Sequence, residues 1–120
     1  MNFFGAIVDS DPKKANLERM IDHIVYIGDL VGIDHVGLGP DFGDYYMDAL
    51  LRWIDRHGVR HGMSRDSVKY ATGIEDVSTL PRIAPAMLAR GFSDSDIAKV
   101  LGGNFSRVYK SNLANSPTSV

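Results

Sequence analysis

Oxygen and imidazole are the side-chain donors this chain can offer to a metal, because it holds 15 Asp and Glu, 4 His and 0 Cys. Thiolate sites and disulfides are excluded together. His57 and His61 stand at a spacing that could chelate a metal on one helix face, but Gly58 and Gly62 interrupt that pattern and no Asp or Glu follows in a ligand arrangement. No metal site is assigned to them. His23 lies near the apolar stripe of a predicted helix and His35 near the start of a predicted strand, and both read as hydrogen-bonded structural residues. Gly37-x-Gly39 is too short for a nucleotide fingerprint and reads as close backbone packing. Asp41 closes an alternating apolar run after Gly39-Pro40. A carboxylate there is more often a turn former or helix N-cap than a catalyst, so the residues alone leave both roles open.

The elements that must position Asp41 follow from the hydrophobic pattern. Residues 2–8 form an apolar run rich in aromatic and β-branched residues, read as a strand buried on both faces. Over residues 13–31, Leu17, Met20, Ile21, Ile24, Ile27, Leu30 and Val31 recur at helical spacing, with Gly32 as the C-terminal cap. Residues 33–39 alternate and predict a second strand that delivers Asp41 to its C-terminal end. Strand, helix and strand with short links predict a right-handed βαβ unit with parallel strands. A helix follows over 44–56, with Trp53 and Tyr45-Tyr46 fitting helix packing or a lid, and then a polar, irregular stretch over 59–79. A helix over 83–90 ends at Gly91, another opens at Ser93, and Asn104 caps a last one. Residues 1–110 are expected to form one unit and 111–120 a flexible tail.

Two parallel strands with helices to spare make too little sheet to stand alone. The expected fold class is α/β, the C-terminal portion of a (β/α)8 TIM barrel: its last two strands and their helices, plus C-terminal helices.

Ile21-Asp22-His23-Ile24, the run from Val31 to Phe42, Gly73-Ile74-Glu75-Asp76-Val77-Ser78, Leu88-Ala89-Arg90-Gly91-Phe92-Ser93 and the run from Leu101 to Val108 together resemble the membrane (renal) dipeptidase family, in order along the chain. The resemblance implies a TIM-barrel metallopeptidase in which two zinc ions activate a water that attacks the amide of a dipeptide. The family's metal ligands, a His-x-Asp pair, a Glu and two His, belong to earlier strands, so the resemblance assigns no metal ligand here. It carries one active-site carboxylate onto Asp41, which is implied to shuttle a proton and to hold the substrate's free amine. At the position where some members place a Tyr facing the substrate, this chain has Phe4. The implied partners are a dipeptide, the missing N-terminal barrel portion and, in the complete enzyme, a second copy. The isolated chain is expected to be inactive.

A net charge of −2 gives no global attraction to nucleic acid or anionic membrane. The alternative readings are a structural half of a split barrel, or a helix-turn-helix binding module over residues 92–108. The second is weakened because its would-be recognition helix offers Arg107 and Lys110 as its cations. No apolar run approaches a membrane span, and a cytoplasmic location is expected.

Overall fold

The computed structural model describes residues 1–114. Six α-helical segments follow one another: α1 (Gly5–Val8), α2 (Leu17–Val31), α3 (Asp44–His57), α4 (Ile83–Ala89), α5 (Asp94–Ala98) and α6 (Asn104–Ala114). Short 3-10 turns link them, notably Pro12–Lys14, Ile33–His35, Gly58–His61, Arg65–Val68 and Val77–Arg82.

No strand forms among the described residues, which overturns the expected α/β barrel portion. The reason lies in how the extended pieces are partnered. Met1 is bracketed by Gly37 and Gly39, its ammonium donating to the Gly37 carbonyl at 2.5 Å and its carbonyl accepting from the Gly39 amide at 2.9 Å. That is a parallel pairing one residue long. By Phe3 the partner has already changed, because the Ala71 amide donates to the Phe3 carbonyl at 2.8 Å and the Gly5 amide to the Lys69 carbonyl at 2.6 Å. A ladder needs one neighbour for several residues, and here the neighbour switches within four. The first expected strand then coils into α1, with Gly5 and Val8 buried and Ala6 and Ile7 exposed. A short apolar run does not by itself distinguish these outcomes.

The second expected strand pairs no further than its contact with Met1. Residues 33–35 wind into a 3-10 turn, and the carbonyls of Ile33 and Val36 accept the Asn104 side-chain amide, each at 2.8 Å, instead of a neighbouring strand. Residues 36–43 continue as a strap without helix or ladder, which carries Asp41.

α2 begins at Leu17 because Asn16 caps it, its side-chain oxygen accepting from the Arg19 amide at 2.9 Å. Gly32 ends it with φ 92°. Met20, Ile21 and Ile24 on its inner face are fully buried with Phe3, Val8, Ile74, Ile83, Met87 and Val100. α4 packs on α2, and Arg90 just after it pairs with Asp22 and Glu18 across the junction. Ser93 opens α5 by accepting from the Asp96 amide at 3.1 Å. A π-turn over Lys99–Gly103, with Gly102 at φ 156°, joins it to α6. α6 continues to Ala114, so the expected flexible tail is helical over 111–114, and its last six positions, 115–120, fall outside the described residues. Gly62, at φ 66° and ψ 21°, ends the turn after α3. Among the described residues no helix is long and apolar enough to cross a membrane.

Candidate active site

Asp41 stands out in its backbone before its side chain is considered. Among the described non-glycine residues it alone has positive φ, at 61°. That left-handed conformation is disfavoured for L-residues, although Asp tolerates it better than most. Something must hold the turn, and the hydroxyl of Tyr70 does so. It donates to the Asp41 main-chain carbonyl at 2.8 Å and accepts from the Gly43 amide at 3.0 Å. The Asp41 carboxylate is fixed separately. Its Oδ2 accepts from the Asn2 side-chain Nδ2 at 3.1 Å, while the Asn2 side-chain Oδ1 accepts from the Phe4 main-chain amide at 2.8 Å.

An aromatic floor supports these bonds. The Tyr70 ring stacks on Phe4 with centroids 4.7 Å apart and meets Phe42 edge-on at 5.1 Å, and Phe42 in turn meets the buried Phe3 edge-on at 5.8 Å. The segment carrying Tyr70 is stitched to the chain's beginning on one side and to the start of α2 on the other, where the Leu17 amide donates to Thr72 and the Thr72 amide to Ala15. Tyr70 also lines a cavity of about 530 Å³ with Met47, Leu51, Val68, Thr72 and Glu75. Tyr46 lies close enough that burial, aided by the Asp41 charge and neighbouring Tyr45, pushes its phenol pKa up. An exposed carboxylate, oriented at one oxygen and backed by apolar rings, can accept a proton or pair with an ammonium group.

Asp41 and Phe4, far apart in sequence, are thus brought together through Tyr70. The sequence pattern gave Asn2 and Tyr70 no functional weight, and Tyr46 a place in helix packing or a lid. Tyr70 carried one faint signal, an isolated aromatic in a polar stretch. The other sequence candidates lie elsewhere. His57 and His61 are exposed, with Trp53 5.6 and 5.5 Å from their rings, and His23 donates from Nε2 to the Val8 carbonyl at 2.8 Å. Among the described residues no group of three or more His, Asp and Glu could hold a metal ion. The zinc pair implied by the resemblance finds no fitting ligand set there.

Comparison with known proteins agrees with the sequence resemblance. The sequence profile of the family described as membrane dipeptidase, peptidase family M19, matches residues 1–52 and 44–119. The chain belongs to that family. It is 33% identical over 110 residues to Dipeptidase tcpJ of Claviceps purpurea, covering 92% of this chain and 21% of that protein. It is 38% identical over 98 residues to Dipeptidase aclJ of Aspergillus oryzae, covering 82% and 18%, and 32% identical over 109 residues to Dipeptidase ataJ of Aspergillus terreus, covering 90% and 21%. The chain therefore spans about a fifth of the length of these relatives.

Proposed function

We propose that this chain contributes Asp41 to the hydrolysis of dipeptides, as the carboxylate that holds the substrate's free amine and moves the proton. The observation that carries this reading is the fixed presentation of an exposed carboxylate by Asn2 and Tyr70 on an aromatic floor. In the reaction the Asp41 carboxylate takes a proton from the attacking water and returns it to the departing nitrogen as the C–N bond breaks, so it ends as it began. Phe4, half-buried beneath Tyr70, supplies apolar surface to the substrate rather than a hydroxyl contact.

Four-fifths of the relatives' length has no counterpart in this chain, and in this reading the metal ligands and the groups that activate water come from such a portion. The radius of gyration, 16.9 Å, exceeds the about 13.6 Å of a closed domain of this length, an openness in keeping with this reading. The isolated chain is accordingly inactive on dipeptides.

The test is a chimera in which this chain replaces the matching segment of a full-length relative such as Dipeptidase tcpJ. Hydrolysis of a dipeptide panel is expected. Asp41→Asn should lower turnover about 10²- to 10⁴-fold with metal content unchanged, as for loss of a general acid/base. Parental turnover in that variant would sink the proposal.

A further inference from the structure

We infer that Tyr70 is a positioning residue for Asp41, its hydroxyl setting the turn from which the carboxylate is presented. The inference rests on the role proposed above for Asp41 but adds a residue to it.

The Asp41 carbonyl and the Gly43 amide are the two groups that would bond to each other in a three-residue turn. Here they do not meet. The Tyr70 oxygen stands between them, donating to one at 2.8 Å and accepting from the other at 3.0 Å, so a single hydroxyl bridges both ends of a wider turn. The bridge spans the torsions of Phe42 and holds the peptide that follows Asp41, whose own positive φ is a conformation that persists only where surrounding contacts hold it. The hydroxyl is itself held. Its ring is stacked on Phe4 and abuts Phe42, and the adjacent main chain is bonded to Phe3 and Gly5. Asn2 anchors the carboxylate from the same segment that Tyr70 stacks on, so side chain and main chain of Asp41 are referred to one frame.

A packing role predicts something different from a positioning role, because Tyr70→Phe keeps the ring and removes the bridge. Amide hydrogen exchange of the full 120-residue chain, read by mass spectrometry at Gly43, separates them. Tyr70→Phe is expected to speed exchange at Gly43 about five- to tenfold, the loss of one hydrogen bond, with Ile24 in α2 unchanged as a folding control. Asp41→Gly retains both main-chain partners of the hydroxyl and should keep Gly43 slow. Unchanged exchange in Tyr70→Phe, or fast exchange in Asp41→Gly with Ile24 protected, overturns the inference.

In the chimera, Tyr70→Phe should lower kcat about tenfold, and should add nothing in an Asp41→Asn background, since it acts through that carboxylate. Additive losses would mean that Tyr70 acts otherwise and would overturn positioning. If Asp41→Asn keeps parental turnover while exchange at Gly43 still accelerates in Tyr70→Phe, the catalytic reading of Asp41 falls and the Tyr70 bridge stands.

Discussion

The side-chain amide of Asn104 closes on the main-chain carbonyl of Val36 at 2.8 Å across 68 residues of sequence. The same nitrogen reaches the Ile33 carbonyl at 2.8 Å. One buried amide therefore satisfies two acceptors and fastens the start of α6 to the turn that leads into the Asp41 strap. A carbonyl removed from water must find a donor, and this one came from the far end of the chain.

Removing that donor should be costly. Asn104→Ala is expected to destabilise by about 1–3 kcal/mol, the range for leaving buried polar groups unpaired. Asn104→Asp should cost at least as much, since an oxygen then faces two carbonyl oxygens. Urea midpoints of the three proteins check both, and an Asp variant as stable as the parent would contradict the contact.

The positive φ of Asp41 gives a test independent of catalysis. Glycine adopts that conformation freely, whereas a β-branched residue does not. Asp41→Val should be less stable than Asp41→Gly by about 1–2 kcal/mol. Equal denaturation midpoints for this pair would show that the turn relaxes in solution.

Acid should unfold the chain partly through Asp9. The Asp11 amide and then the Arg19 guanidinium, the latter at 2.9 Å, hold its carboxyl below the ordinary carboxylate value. The folded pKa is the lower one, so the unfolded state binds the proton first and stability rises with pH through that window. The contribution is complete above about pH 4 and is lost as pH falls through the folded value. Asp9→Asn should flatten the acid limb of a stability–pH curve measured by urea unfolding. A curve superimposable on the parent's would count against the pairing.

Two neighbours on α4 predict opposite outcomes. Met87 is fully buried and Leu88 is 58% exposed. Met87→Ala should cost about 2–5 kcal/mol and Leu88→Ala about 0.5 kcal/mol or less. Thermal unfolding of the pair reads the difference, and similar losses would mean that α4 presents another face to the core.

Local signals in the sequence located the helices well. Gly32, Gly91 and Ser93 end and open elements as their chemistry predicts, and the helix expected over 44–56 forms as Asp44–His57. The strands were misread because a short apolar run and an alternating one both report burial and say nothing about whether a neighbour will run alongside. That neighbour is a long-range property, and residues 69–72 take the place at Phe3 and Gly5 that a strand ladder required. The site divides in the same way. Asp41 and Phe4 could be named from family resemblance, whereas Tyr70 sits in a polar stretch with no periodicity, and its importance arises only when two distant segments are brought against it.

Gly62 carries a consequence of handedness. Its φ of 66° and ψ of 21° are the mirror image of a right-handed helical residue, and a Cβ built there would meet nothing within 4 Å. For an L side chain the demand at this turn is chiral, with no crowding behind it. L-alanine would be strained at the position, while D-alanine, introduced by peptide ligation, would rest in its preferred basin and narrow the freedom of the unfolded chain, a gain of about 0.4–1 kcal/mol. The two enantiomers of alanine should move the stability of this protein in opposite directions.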